Sequence, residues 1–213
     1  MEKRWSAVIF DLDGVLCSTD EYHYLAWKRV TDGLGIPFDR AVNNRLRGLS
    51  RMDSLAIILE RAEQTFTQPE REALAARKND IYRAYLSKMS PADLSSDVRE
   101  TLDTLRGRGY RLAVGSSSKN TPFILEQLGL GDFFDAVADG NLVARSKPDP
   151  EVFLKAAELL GEAPARCLVV EDAVAGAEAA HRGGMKAACV GDAAAHGAGD
   201  YNMDSVRGLL EIL

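Results

Sequence analysis

Four short stretches hold side chains whose types and order suit phosphoryl chemistry. They are Asp11 and Asp13 in Phe-Asp-Leu-Asp-Gly at 10–14, Ser116 at the head of a triple serine, Lys147 in Ser-Lys-Pro at 146–148, and the pair Glu171-Asp172. Carboxylates brought together repel one another unless a cation sits among them, and an oxygen-only set supplemented by carbonyl and water suits Mg²⁺. A hydroxyl and an ammonium beside such an ion make a tripod for a phosphoryl group, whose equatorial oxygens need charge neutralisation during in-line transfer. Each stretch alone has an ordinary reading: Asp-x-Asp-Gly as a turn, Glu-Asp as a solvated strand end, Ser-Lys-Pro as a loop ahead of a helix. Their combination selects the chemical one, because in an open parallel sheet ligands bind outside the carboxyl ends of the strands.

The elements that must deliver these residues are legible in outline. Ser6 to Phe10 is a short β-prone run that stops at the acidic turn, as a buried parallel strand does. From about Asp20 to Met89 the pattern turns helical. Within it, Ser50 followed by Asp53 three residues later marks a helix start leading into Leu55, Ile58 and Leu59. Beyond Ser90-Pro91 helix and strand alternate: a helix around Val98 to Leu105, a strand from Arg111 to Gly115, and a helix opened by Pro122 and closed by Gly129. Then come a helix capped by Asp149-Pro150 and ending at Gly161, a strand from Cys167 to Val170, a helix from Val174 to His181 closed by Gly183-Gly184, and a strand from Ala187 to Val190. Asp192 to Asp200 reads as a loop, and Val206, Leu209, Leu210 and Leu213 as a last amphipathic helix. The spacing predicts an α/β fold, a doubly wound, Rossmann-like parallel sheet core with an inserted helical cap domain. Residues 1–17 and 91–213 make the core and 18–90 the cap.

At 213 residues the chain is long enough to bury a core without a disulfide or metal staple. Its three cysteines, Cys17, Cys167 and Cys189, are widely spaced and odd in number, which fits reduced thiols in a cytoplasmic protein. No leader pattern opens the chain and no apolar run approaches a membrane span, so no membrane partner is expected. A formal net charge of −6 argues against a nucleic-acid partner, yet a small phosphorylated metabolite needs only a few local cations. A phosphorylated receiver-like signalling module is the reading from another class. It gives no reason for a helical insertion of about seventy residues directly after the first strand, far beyond ordinary connections.

The four stretches, in this order and across almost the whole chain, resemble the motifs of haloacid dehalogenase superfamily phosphatases and mutases. Tyr22-His23, Trp27, Gly48 to Leu55, Arg77 to Asp80, Ser90 to Asp93 and Ser118-Lys119-Asn120 are similar to stretches of the hexose-phosphate mutases within it. The resemblance implies that Asp11 is the nucleophile and becomes an aspartyl phosphate, while Asp13 is the general acid and base. It implies Mg²⁺ held by Asp11, the Asp13 carbonyl, Glu171 and Asp172, and the transferring phosphoryl group held by Ser116 and Lys147. Arg51, Ser118 and Asn120 would grip the second phosphate. His23, Trp27, Arg47, Gly48, Ser54 and Lys78 would line the cap side, with Thr19 at the hinge. One departure is Arg47, where the compared members carry lysine; arginine keeps the charge but is planar and longer. A lesser one is Ala173, where a hydroxyl residue is common. The implied reaction is conversion of β-D-glucose 1-phosphate to glucose 6-phosphate through β-glucose 1,6-bisphosphate by a monomer, with a sugar-phosphate phosphatase as the alternative.

Overall fold

Ala7–Phe10 is apolar and buried at every position, the condition for a strand covered on both faces, and it forms β1 at the centre of the sheet. The computed structural model describes residues 4–213. After β1 the chain runs through four helices, α1 (Asp20–Asp32), α2 (Arg40–Asn44), α3 (Arg51–Leu59) and α4 (Gln68–Leu86). It then returns to the sheet through α5 (Ser96–Gly107), β2 (Arg111–Gly115), α6 (Thr121–Gln127), β3 (Ala136–Ala138), α7 (Glu151–Leu160) and β4 (Cys167–Glu171). The last elements are α8 (Val174–Arg182), β5 (Lys186–Cys189), α9 (Gly191–Ala195), β6 (Tyr201–Asn202) and α10 (Leu209–Ile212).

The six strands are all parallel, in the order β3-β2-β1-β4-β5-β6. Because side chains alternate between faces, Val8, Phe10, Leu112, Val114, Leu168 and Val170 pack on one side. Ala7, Ile9, Ala113, Cys167, Val169, Ala187 and Cys189 pack on the other, where small residues let α7 and α8 approach closely. The helical block has its own core of Trp27, Val30, Ile36, Phe38, Val42, Leu46, Leu55, Ile58 and Ala75. Among the described residues no helix is long and apolar enough to cross a membrane.

Most expected elements lie within a residue or two of their predicted limits, with informative exceptions. The stretch 192–200, read as a loop, begins inside α9, since alanine is the best helix former and three follow Asp192. The final helix is a single 3₁₀ turn at Val206–Gly208 followed by only the four residues of α10. The edge strands β3 and β6 have three and two residues, too few for an alternating pattern to declare them. Side chains fix both: Asp135 Oδ2 accepts from the Leu112 N–H at 2.7 Å beside β3. Near β6, Asp200 accepts from Lys186 Nζ at 2.6 Å and from the Ala187 N–H at 3.0 Å, and it pairs with His181 Nε2 at 2.9 Å.

Partial burial opposes ionisation of Asp200, but the bonds from Lys186, Ala187 and His181 outweigh it and hold its pKa at about 2. A depressed carboxylate stabilises the fold above its unfolded value, and that contribution is lost as pH falls through the folded one. Asp200→Asn should therefore lower stability by about 1 kcal/mol near neutral pH. The deficit should shrink between pH ~4 and ~2, which urea midpoints across that range would reveal.

Candidate active site

The parallel register places the chemistry. Phe10 pairs with Val170, so the next residues, Asp11 and Glu171, emerge side by side from β1 and β4, and the Asp11 N–H extends the ladder to Val170 O at 2.9 Å. On the other flank the Ser116 N–H donates to Ala138 O at 3.0 Å, which holds the hydroxyl at the end of β2. Lys147 reaches in from the loop after β3. Its Nζ donates to Asp11 Oδ1 and to Glu171 Oε1, both at 2.5 Å, and the side chain is only 1% exposed. The other Glu171 oxygen accepts from the Ala173 N–H at 2.8 Å.

Burial raises the Asp11 pKa well above the ordinary range, Lys147 opposes the rise, and the neighbouring carboxylates add to it. Burial and Glu171 likewise lift Asp172 to about 7. Asp11, Glu171 and Asp172 each offer an oxygen within 4.8 Å of the others. An all-carboxylate set under such mutual repulsion fits a hard divalent cation. Two glycines make room for two of these carboxylates. Gly14 has φ +82°, and a Cβ there would strike the Asp172 carboxylate; at Gly176 it would strike that of Glu171.

The helical block closes over this edge and leaves a cavity of about 670 Å³ lined from both sides. Thr19 donates to Asp13 Oδ1 and itself accepts from the Tyr82 hydroxyl at 2.9 Å. Lys78 Nζ lies 2.8 Å from His23 Nδ1, under the rings of Tyr82 and Trp27. Burial first, then Lys78 and Arg51, hold the His23 pKa well below its ordinary value. A neutral imidazole that accepts at Nδ1 keeps its proton on Nε2, and Nε2 faces Asp13 Oδ2 at 4.0 Å. Burial raises the Asp13 pKa, opposed by the Thr19 bond and by Lys78 and Lys147. A carboxyl poised upward in this way can give a proton as well as take one.

Trp27, Arg47, Gly48, Arg51, Ser54, Ser118 and Asn120 also line the cavity, so the expected residues do meet. Arg47 is tied to Asp20 at 3.3 Å. Gly48, at φ +76°, accepts at its carbonyl from Ser117 Oγ at 3.1 Å. Asn120 lines the cavity with its side chain held by the helical block. Its amide donates to Asn79 Oδ1 at 3.0 Å and accepts from Arg83 Nη1 at 3.2 Å, because these α4 residues, one turn apart, straddle it. Its backbone N–H still supports Ser118 Oγ at 3.2 Å. Tyr82, Arg83 and Gly176 were not singled out from the sequence, and Asn79 only as part of the stretch Arg77 to Asp80. Of these only Gly176 carried a local signal, as a glycine inside a helix, where it costs about 1 kcal/mol unless something packs against it.

A divalent cation bound by the folded site alone should raise the melting temperature, by about 2.7 kcal/mol of stabilisation at a concentration one hundred times Kd. Asp172→Asn should remove most of that rise in a thermal melt; an undiminished rise would place the ion elsewhere.

Residues 5–184 match the family model described as haloacid dehalogenase-like hydrolase. The chain is 45% identical over 187 residues to a protein named β-phosphoglucomutase from Bacillus subtilis, covering 87% of this chain and 83% of that one. It is 31% identical over 183 residues to a phosphorylated carbohydrates phosphatase from Thermotoga maritima, covering 84% and 82%. The crystal structure of a β-phosphoglucomutase from Clostridium difficile superposes with a TM-score of 0.92 at 34% identity, covering 96% of this chain and 93% of that one. With its sheet, its converging strand ends and these relatives, the chain belongs to the haloacid dehalogenase-like hydrolase family.

Proposed function

We infer that the chain converts β-D-glucose 1-phosphate to glucose 6-phosphate through an aspartyl phosphate on Asp11 and a bound β-glucose 1,6-bisphosphate. The observation that carries this reading is a single cavity that runs from Asp11, to which Lys147 is bonded at the sheet edge, across to Arg51 on the helical block, so that a cation serves each end. A phosphatase needs one phosphate grip, whereas a mutase must hold a bisphosphate by either end. The β-phosphoglucomutase relatives support the same choice.

In this reading residues 18–90 act as a cap on a core of 1–17 and 91–213. A Mg²⁺ ion held by Asp11, the Asp13 carbonyl, Glu171 and Asp172 supplies charge neutralisation to the transferring phosphoryl oxygens. Ser116 and Lys147 hold that group in line. A sugar hydroxyl attacks its phosphorus, the bond to Asp11 breaks, and Asp13 takes the hydroxyl proton. After the bisphosphate turns end for end, Asp11 attacks the other phosphate, the bond to the sugar oxygen breaks, and Asp13 returns the proton. Arg51, Ser118 and Asn120 grip the non-reacting phosphate, and His23 and Lys78 orient Asp13. Trp27, Arg47, Gly48 and Ser54 shape the cap side, and both grips come from one chain, consistent with a monomer. The three buried free thiols suit a reducing cytoplasm.

Chelation should abolish turnover and Mg²⁺ should restore it. Asp13→Asn should lower kcat by ~10²–10⁴-fold with substrate still bound, the range of general acid–base catalysis. The deciding assay primes the enzyme with glucose 1,6-bisphosphate and follows glucose 6-phosphate and free phosphate together. Wild type should form the sugar phosphate faster than it releases phosphate; the reverse order would make it a phosphatase. Arg51→Ala should slow isomerisation by about tenfold or more, roughly 1.4 kcal/mol, and affect hydrolysis of a small donor less.

A further inference from the structure

The start of α3 is built differently from two comparable sites in the same chain. In a capping box the N-cap hydroxyl accepts from the N3 amide, and the N3 side chain reaches back to the N-cap amide. Thr67 and Glu70 close such a box at α4, with the Thr67 N–H donating to Glu70 Oε2 at 2.7 Å. Ser90 and Asp93 close another, with the Ser90 N–H donating to Asp93 Oδ2 at 2.8 Å. Ser50 and Asp53 have suitable types at the same spacing, and Ser50 Oγ accepts from the Asp53 N–H at 3.2 Å. The return bond, however, passes through the core. The Ser50 N–H donates to Ser146 Oγ at 2.9 Å, and the Ser146 hydroxyl donates to Asp53 Oδ2 at 2.7 Å. Asp53 Oδ2 also accepts from the Ser50 hydroxyl at 2.7 Å.

A core hydroxyl is thus inserted into the capping box of a cap helix, and its neighbours in sequence give the insertion meaning. Ser146 directly precedes Lys147, and Ser50 directly precedes Arg51. We propose that Ser146 and Asp53 are positioning residues that set the separation of the two phosphate grips in the closed enzyme, by completing the α3 box from the core. The inference rests on the two-phosphate reading above.

When the cap lifts, Asp53 can close the box directly on the Ser50 N–H, as Glu70 does on Thr67. Closure therefore exchanges one satisfied set of hydrogen bonds for another. Such a latch orients the cap without locking it, which suits a reaction that must release product between turnovers. Two other cap–core contacts, Ser117 to Gly48 and Asn120 to Asn79 and Arg83, are separate from it, so loss of Ser146 frees one corner.

The test compares Ser146→Ala, Ser146→Thr, Asp53→Ala and the double alanine variant with wild type. Isomerisation of β-glucose 1-phosphate, hydrolysis of acetyl phosphate, melting temperature and the radius of gyration by small-angle scattering are followed together. Ser146→Ala should lower isomerisation by about fivefold to tenfold relative to acetyl phosphate hydrolysis, the scale of a hydrogen bond to a charged group reduced by exchange. Its radius of gyration should grow, Ser146→Thr should recover most of the loss, and the double variant should be no worse than Ser146→Ala alone. A wild-type ratio and radius in Ser146→Ala, or losses that multiply in the double variant, would overturn the latch. If wild type forms no glucose 6-phosphate, the mutase reading falls. The scattering comparison then still decides the latch: equal radii in wild type and Ser146→Ala refute it.

Discussion

A buried ammonium between two buried carboxylates is the constraint on which the remaining structure depends. Charges taken out of water cost several kcal/mol each unless they are paired and hydrogen-bonded in good geometry. Lys147 meets Asp11 and Glu171 together, and none of the three is more than 7% exposed. Only a parallel pairing of β1 with β4 in the observed register brings the two carboxylates out side by side, and only a loop returning over the sheet can place the lysine between them. The doubly wound topology is thus what makes this concentration of charge tolerable. The third carboxylate, Asp172, exceeds what one lysine can offset: burial first, and then Glu171, raise its pKa to about 7.

Space for the charged centre is made by residues that lack bulk. Gly14 and Gly176 leave room for the carboxylates of Asp172 and Glu171. Gly115 does the same for the Phe153 ring of α7, which lies 4.6 Å from the Lys147 ammonium and gives it a favourable aromatic face. The small side chains on the α7 and α8 face of the sheet let those helices, and with them Phe153 and Gly176, come close enough. Packing and chemistry are therefore set by the same residues, and a methyl group at Gly176 would act on the active centre through sterics alone.

How much of this was legible depends on whether the signal is local. β1, β2 and β4 are buried apolar runs ending in acid, serine and acid, and each could be read from a few adjacent residues. Asp11, Ser116 and Glu171 follow from those strand ends, whereas Lys147 comes from the loop after β3. Edge strands β3 and β6 could not be read, because two or three residues carry no periodicity and are fixed by Asp135 and Asp200 from outside the strand. Asn120 shows the limit for the site: its amide is engaged by Asn79 and Arg83, about forty residues earlier in the chain, and no local pattern announces those partners. The acidic residue three after Ser50 announced a helix start, as found; that Ser146 would enter the box lay in tertiary structure alone.

Enclosure and proton handling are joined at Asp13. Its upward-shifted pKa comes first from burial, and the helical block supplies the Thr19 hydroxyl and the neutral His23 that face it. Tyr82 and Lys78, both on α4, fix Thr19 and His23 in turn, so the seating of one helix sets every partner of this carboxyl on that side. Water solvates the charged form of a carboxyl, so enclosure is what separates Asp13 from an ordinary ionised carboxylate, which accepts protons but rarely gives them. Breaking a bond to a sugar oxygen requires a proton for the departing alkoxide, and in the proposed reaction that proton comes from Asp13, whose partners α4 holds. If Asp13 serves as the acid of the proposed reaction, the same enclosure that keeps water from competing as acceptor also raises the pKa of that acid, and the fold needs no separate device to keep the two in step.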